Sequence, residues 1–380
     1  LQNDKLLLSI IGFMIIATSA LSAPAVHYVT VAGADTKTGA TWATAMGYAE
    51  FETDCEGAME AGDTYYFEAG TYTLTSDLAC SFATGTPALP ISFIGVASGT
   101  SAEPPTISDW AYGDDRPLIA GAGYNFGCDD YCYAKNFRMT CTDTTCFYTD
   151  LNSFIYNFKV VNSSGTADRK GMATDDNTVF LNVELVSTNG IGVSFNYAYR
   201  AMILYSYIHD SKNGINATNL NGGTIANNVF DTISAAGISN SNTSDKIYNN
   251  TFYNCLLAID AAVSSQILIV NNIFDNNGTG VSADASVPAT IIDYNVWSNS
   301  ATADVTNVTK GEHAITSDIT LTNPASGDFT LPDSSVAEGV AMQVGTNIGI
   351  TGDYNWNIGV DQTDTQSGGG GGTTSYGFSN

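Results

Sequence analysis

Positive charge is the scarcest thing in this sequence. Twelve Lys and Arg stand against 38 Asp and Glu in 380 residues, a formal net charge of -26, although charged residues of both signs are only 13%. Nucleic acid and anionic membranes both require a basic footprint, so neither is expected as a partner. Polyanions are also poor ligands for such a surface unless a divalent cation such as calcium bridges the charges. The middle is poorest: Arg200, Lys212 and Lys246 are the only cations between 171 and 309. Long Leu/Ala/Glu/Lys runs are missing as well, which excludes stacked helix pairs. The apolar run from Leu6 to Ala17 is short for a membrane span. With Lys5 before it and Ala23-Pro24-Ala25 after it, residues 1–25 read as a signal peptide. A secreted or cell-surface protein is expected, with membrane contact only through an anchor beyond the C-terminal tail.

What the chain does have is a period. Ile208, Phe230, Phe252, Phe274 and Trp297 follow one another at steps of 22, 22, 22 and 23 residues. Asn228, Asn250, Asn272 and Asn295 stand two places before the four aromatics, and Ser206 takes that place before Ile208. Glycine-aliphatic pairs follow at Gly214-Ile215, Gly237-Ile238 and Gly280-Val281, with Ala258-Ile259 in the remaining slot. Such a period, written in β-type residues with Asn and Gly corners, predicts a solenoid in which each repeat is one coil. The fold expected is all-β: a right-handed parallel β-helix with coils of about 22–25 residues, the hand following the usual chirality of parallel crossovers.

The other segments fit around it. Residues 26–62 predict a strand at His27–Val31 and an amphipathic capping helix from Trp42 to about Glu60, with Trp42, Ala45, Met46, Ala49 and Met59 on one side. Residues 63–300 carry the β-helix. Its earlier coils are traced at Asn136-Phe137, Asn157-Phe158 and Asn182-Val183, where the steps are uneven and the face assignment can slip by one residue. Cysteine-rich irregular loops are expected at about 110–150, an irregular C-terminal cap over 301–362, and a flexible Gly-rich tail over 363–380. Export makes disulfides the default for Cys55, Cys80, Cys128, Cys132, Cys141 and Cys146, with zinc the alternative for the last four. Cys255 stands alone and reads as a buried free thiol.

The phrase from Ala61 to Tyr72, continued by Pro90 to Gly95, resembles the opening coil of secreted β-helix proteins, including polysaccharide lyases of the pectate- and alginate-lyase kind. That resemblance covers most of 28–300 and implies the scaffold rather than a chemistry. Lyases on this scaffold place Arg and Lys near a metal; the middle coils here are poor in both.

Side chains alternate between strand faces. If the aromatic ladder points inward, then His209, Asp231, Tyr253, Asp275 and Ser298 form an outward column. Asp231 and Asp275 would lie roughly 9–10 Å apart with Tyr253 between them, a separation suited to inverting glycoside hydrolysis. Alternatively, Asp210, Asp231 and Asp275 would hold calcium against a uronate, with Tyr253, His209 or Lys212 as base. Tyr197, Tyr199, Tyr205 and Tyr207 would stack on sugar rings. The plainer account of the column is solvated decoration. The expected function is engagement of a polysaccharide or cell-surface glycan along one face; whether it is an enzyme is left open, and if it is one, a polysaccharide lyase or glycoside hydrolase is expected. The alternatives are a non-catalytic surface adhesion protein and a phage tailspike.

Overall fold

The computed structural model describes residues 24–341 except 35–37, 58, 81–84, 143–144, 240–243, 262–266, 284–289, 333–334 and 338–339. The expected signal peptide up to residue 23, the end of the expected C-terminal cap and the Gly-rich tail lie outside the described residues. The chain is a parallel β-helix. Its strands form an 18-stranded and a 10-stranded sheet, and the pairing between successive coils is parallel throughout.

From Met202 onward each coil has three short strands, as in Met202–Leu204, Tyr207–His209 and Asn213–Asn216. They give the solenoid three faces, named here first, second and third in coil order. In the earlier coils the first two strands fuse into one long strand, as in Phe154–Asn162 and Val179–Ser187. These long strands bend at Asn157 and Asn182, with φ of 53° and 54°; Asn227, Asn249 and Asn271 take the same left-handed corner in later coils. Asparagine tolerates that conformation because its short amide can bond locally. Glu184 pairs with Tyr207, so Asn182 aligns with Tyr205 rather than with Ser206. The face assignment of the earlier coils therefore slips by one residue: their asparagines mark the corner, whereas Asn228 and its successors sit one place inside it.

Inside, Ile208, Phe230, Phe252, Phe274 and Trp297 are in register and buried. Successive aromatic ring centroids lie 4.6, 5.2 and 4.5 Å apart with planes at 8°, 7° and 11°. Burial of each ring contributes about 2–3 kcal/mol. A β-carbon on Gly237 would stand 2.6 Å from the Ala258 carbonyl oxygen and 3.1 Å from the Phe252 ring, which is why the repeat carries glycine there. The buried asparagines form a second ladder. The Asn228, Asn250 and Asn272 amide nitrogens donate to the side-chain oxygens of Asn250, Asn272 and Asn295 at 3.0, 3.0 and 3.1 Å.

The ends differ from expectation in detail. The capping helix is shorter, Tyr48–Cys55, after a 3-10 turn at Trp42–Thr44. Ala49 is exposed; Phe51 is the plug instead, edge-on to Tyr65, Phe67 and Phe93. The stretch at about 110–150 is mostly regular strand, Leu118–Gly121, Phe126–Cys128, Cys132–Cys141 and Thr145–Thr149. Disulfides Cys128–Cys132 and Cys141–Cys146 staple its corners, and Cys55–Cys80 ties the cap to the third face. The four clustered cysteines are thus paired rather than available to zinc, and Cys255 is a buried free thiol. At the far end Ile315 pairs in parallel with Val296 and closes the stack. The chain then turns back. Ile319, Leu321, Phe329 and Leu331 pack on Val229, Ile273 and Val296, so the C-terminal segment roofs the second face as well as capping the end.

Candidate functional site

The expected outward column exists: His209, Asp231, Tyr253, Asp275 and Ser298 are mutually in register on the second face. Its far half is closed off by the C-terminal roof. Asp275 and Ser298 are buried, Ser298 accepts from the Ile319 amide, and Phe329 packs edge-on to Tyr253 at 5.8 Å. The near half is an internally paired network. Glu184 meets Lys159 at 2.7 Å and His209 at 3.4 Å, and His209 meets Asp210 at 2.8 Å. Burial opposes charge on His209, but the Glu184 and Asp210 carboxylates outweigh it and hold the imidazole above its ordinary pKa. Burial raises the Asp231 carboxyl, offset in part by hydrogen bonds from Thr232 and Tyr207. Lys212 reaches away to Asp168. Asp210, Asp231 and Asp275 do not converge as metal ligands, because one rung lies between Asp231 and Asp275 and Asp210 is drawn to His209.

The third face holds a cleft. A cavity of about 260 Å³ is lined by Tyr148, Asp150, Lys170, Asp175 and Asn196 among others. Its geometry follows from the register. Cys128 pairs with Thr149, Thr149 with Thr174 and Thr174 with Phe195. The next residues, Asp129, Asp150, Asp175 and Asn196, therefore stand at the same corner of four successive coils, roughly 4.8 Å apart. Tyr148 lies over the adjacent strand, where a β-carbon on Gly127 would sit 2.0 Å from its ring. Lys170, at the start of the strand that leads into Asp175, donates from Nζ to Asn196 Oδ1 at 3.1 Å, and its charge acts on the Asp175 carboxylate.

Three like charges in one column cannot all ionise freely. Asp150, in the middle, is pushed up to about 7 by burial, by a hydrogen bond shared with Asp129, and by the charges of Asp129, Asp175 and Asp130. Asp175 is raised too, by burial and by Asp176 and Asp130, with Lys170 acting the other way. Burial and neighbouring acids raise the Tyr148 phenol. The cleft thus contains a carboxyl that keeps its proton to near neutrality, a partner carboxylate one rung away and one ammonium group. Those are the parts of acid–base chemistry. Among the described residues, the acidic oxygens that could share a cation are those of Asp129, Asp130 and Asp150, all within 4.8 Å of one another.

The predicted tyrosines are split by the fold. Tyr197 and Tyr199 are 78% and 56% exposed on the loop that follows Asn196, at the rim of the cleft. Tyr205 is a corner residue with φ of 51°. Tyr207 is half-buried, stacked on His209 and donating to Asp231. The cleft acids had a signal in the sequence: Asp129, Asp150 and Asp175 each precede the corner asparagines Asn136, Asn157 and Asn182 by seven residues.

The class that fold and register define is the parallel β-helix. Residues 32–282 match the family model described as rhamnogalacturonase A/epimerase, pectate lyase-like, and the chain belongs to this family. The fold is similar to that of pectate lyase Pel9A (TM-score 0.57, 15% identity, covering 91% of this chain and 98% of that one). It is also similar to an alginate lyase from Paenibacillus sp. str. FPU-7 (0.52, 14%, 71% and 97%) and to a GH136 lacto-N-biosidase from Eubacterium ramulus (0.53, 12%, 77% and 67%). No curated protein matches the chain. Identities this low establish a shared fold and leave the chemistry to the site.

Proposed function

We propose that this protein engages a polysaccharide along its third face and hydrolyses it in the cleft, with Asp150 as proton donor and Asp175 as partner carboxylate. The observation that carries this is the carboxylate column, whose middle member stays protonated to about pH 7. A protonated carboxyl can donate to the leaving glycosidic oxygen while an ionised neighbour assists at the anomeric carbon. Tyr197 and Tyr199 at the rim offer stacking surfaces to the sugar chain. The names of the structural neighbours, two lyases and a biosidase, support a glycan as the substrate class. Three disulfides support an oxidising compartment, hence a secreted or surface location; no helix among the described residues is long and apolar enough to cross a membrane.

A second reading rests on the three carboxylates within 4.8 Å of one another. Asp129, Asp130 and Asp150 would hold calcium, the cation would neutralise a uronate carboxyl, and Lys170 would serve as base for elimination. One experiment separates the two. The protein is incubated with neutral and uronic polysaccharides, with calcium and then with chelator, and both reducing ends and the ultraviolet band of an unsaturated uronate are followed. Hydrolysis gives reducing ends without the band, insensitive to chelator and lost about 100-fold or more in Asp150→Asn. A calcium-dependent band moves the assignment to the lyase reading. Binding with no cleavage of any glycan leaves the non-catalytic adhesion protein.

A further inference from the structure

The first face has a chemistry of its own. Its coils nearest the N-terminus are covered: Tyr28, Tyr66, Ile94 and Val96 are buried, with Trp42 and Trp110 packed against them. Beyond Trp110 the outward side chains remain apolar while the cover thins. Tyr133, Phe154, Val179 and Met202 are in register as one outward row. Two residues further along the strands, Tyr156, Leu181 and Leu204 form the second row. Met202 is 37% exposed; beyond it the rows turn polar and charged, with Thr224 and the exposed Lys246 in the first and Asp293 at the end of the second. Tyr133 and Phe154 meet edge-on at 6.0 Å, and Phe154 and Tyr156 lie within 13° of parallel. In the two rows between Tyr133 and Leu204 the one cation, Lys135, is folded aside onto the Trp110 and Tyr133 rings at 5.5 and 5.6 Å. Neither row from Tyr133 to Leu204 holds a carboxylate, in a chain with 38 of them.

Shape decides what such a strip suits. Two outward rows are about 7 Å apart, and the four strands from Tyr133 to Met202 extend about 14 Å. The flat area, roughly 100 Å², is well below the roughly 800 Å² per partner of a stable protein interface. A second copy would also bring two strongly acidic molecules together over a contact too small to offset their repulsion. A glycan chain is one ring wide and apolar on its C–H faces, which matches both the width and the lack of charge.

We propose that this strip is a second carbohydrate-binding surface, taking an uncharged polysaccharide by stacking its sugar rings over Tyr133, Phe154 and Met202, separate from the acidic cleft. Its role is to hold an extended or fibrous neutral glycan, and it does not depend on what the cleft cleaves.

The test is retention of the full-length protein by insoluble neutral glycans, microcrystalline cellulose and chitin powder, read as depletion from solution. Retention is expected to survive about 1 M NaCl, because stacking is not a charge effect. It should weaken about tenfold in Phe154→Ser and several-fold in Met202→Ser, and stay unchanged in Asp150→Asn. Met202 is partly exposed, so its variant reports on binding even if Phe154→Ser folds poorly. Failure of the wild type to be retained by either glycan overturns the proposal, as does full retention of both strip variants. Loss of retention in Asp150→Asn would put the binding in the cleft instead. A dimer in sedimentation equilibrium that Met202→Ser dissociates would make the strip a subunit interface.

Discussion

Asp150 is held between Asp129 and Asp175 one rung away on either side, and its proton is the cost of that placement. Its folded pKa of about 7 lies above the ordinary 3.8, so between those values the folded chain keeps a proton that the unfolded chain gives up. That contribution to stability is complete below about pH 4 and is lost as pH rises through 7. Asp150→Asn should therefore match the wild type near pH 3.5 and exceed it at pH 8. Solvent screening of this half-exposed group limits the gain to about 1–2 kcal/mol, a few degrees in Tm by calorimetry. On a cleaved glycan, the wild-type rate should fall as pH rises through 7, and the variant should lose that limb along with most of its activity. His209 offers an independent check. Glu184 and Asp210 hold its imidazole above the ordinary histidine value, so Glu184→Gln should bring that pKa down in an NMR titration.

The ladders act at the scale of the coil. Asn250 Oδ1 accepts from both the backbone and the side chain of Asn228, and its own amide donates to the Ile225 carbonyl and to Asn272. Asn250→Ala leaves those buried groups without partners and should cost about 2–4 kcal/mol in urea unfolding, although no charge is involved. Phe252→Ala opens a gap between two stacked rings, for about 3–5 kcal/mol. Both ladders were legible because 22-residue steps repeat with the same residue type at the same offset. The corner asparagines were legible only in part. Asn136, Asn157 and Asn182 resemble the inner ladder in sequence, yet they sit one place outside it because the long strands bend there. Asparagine suits both a left-handed corner and a buried amide stack, so residue type alone does not separate the two.

At the scale of the whole molecule, the three faces have different fates: an apolar strip, a roofed ion network and an acidic cleft. The roof covers the second face and leaves the third for the proposed glycan chemistry. Asp231→Asn should leave any glycan cleavage within about twofold of wild type, in contrast to Asp150→Asn. Phe329→Ser should loosen the roof over Val229 and Ile273 and raise proteolysis within 316–341 without unfolding the coils, as seen by limited digestion and circular dichroism. The sequence did carry a hint of the roof. Val229, Ile273 and Val296 are apolar at positions where an open solenoid face is polar, and they follow the ladder asparagines directly.

Periodicity is a local property, so the chain by itself determined the coil, its inward aromatic and amide ladders and the shortage of cations; which cysteine meets which was left to the fold. Which outward positions meet water is not local. It depends on where a segment well downstream in the chain comes to rest, and on which corners of successive coils fall into one column. Packing of the C-terminal segment closed the second face, and parallel register stacked Asp129, Asp150 and Asp175 into a site. Both depend on contacts between residues far apart in the chain, and only the tertiary structure decided them.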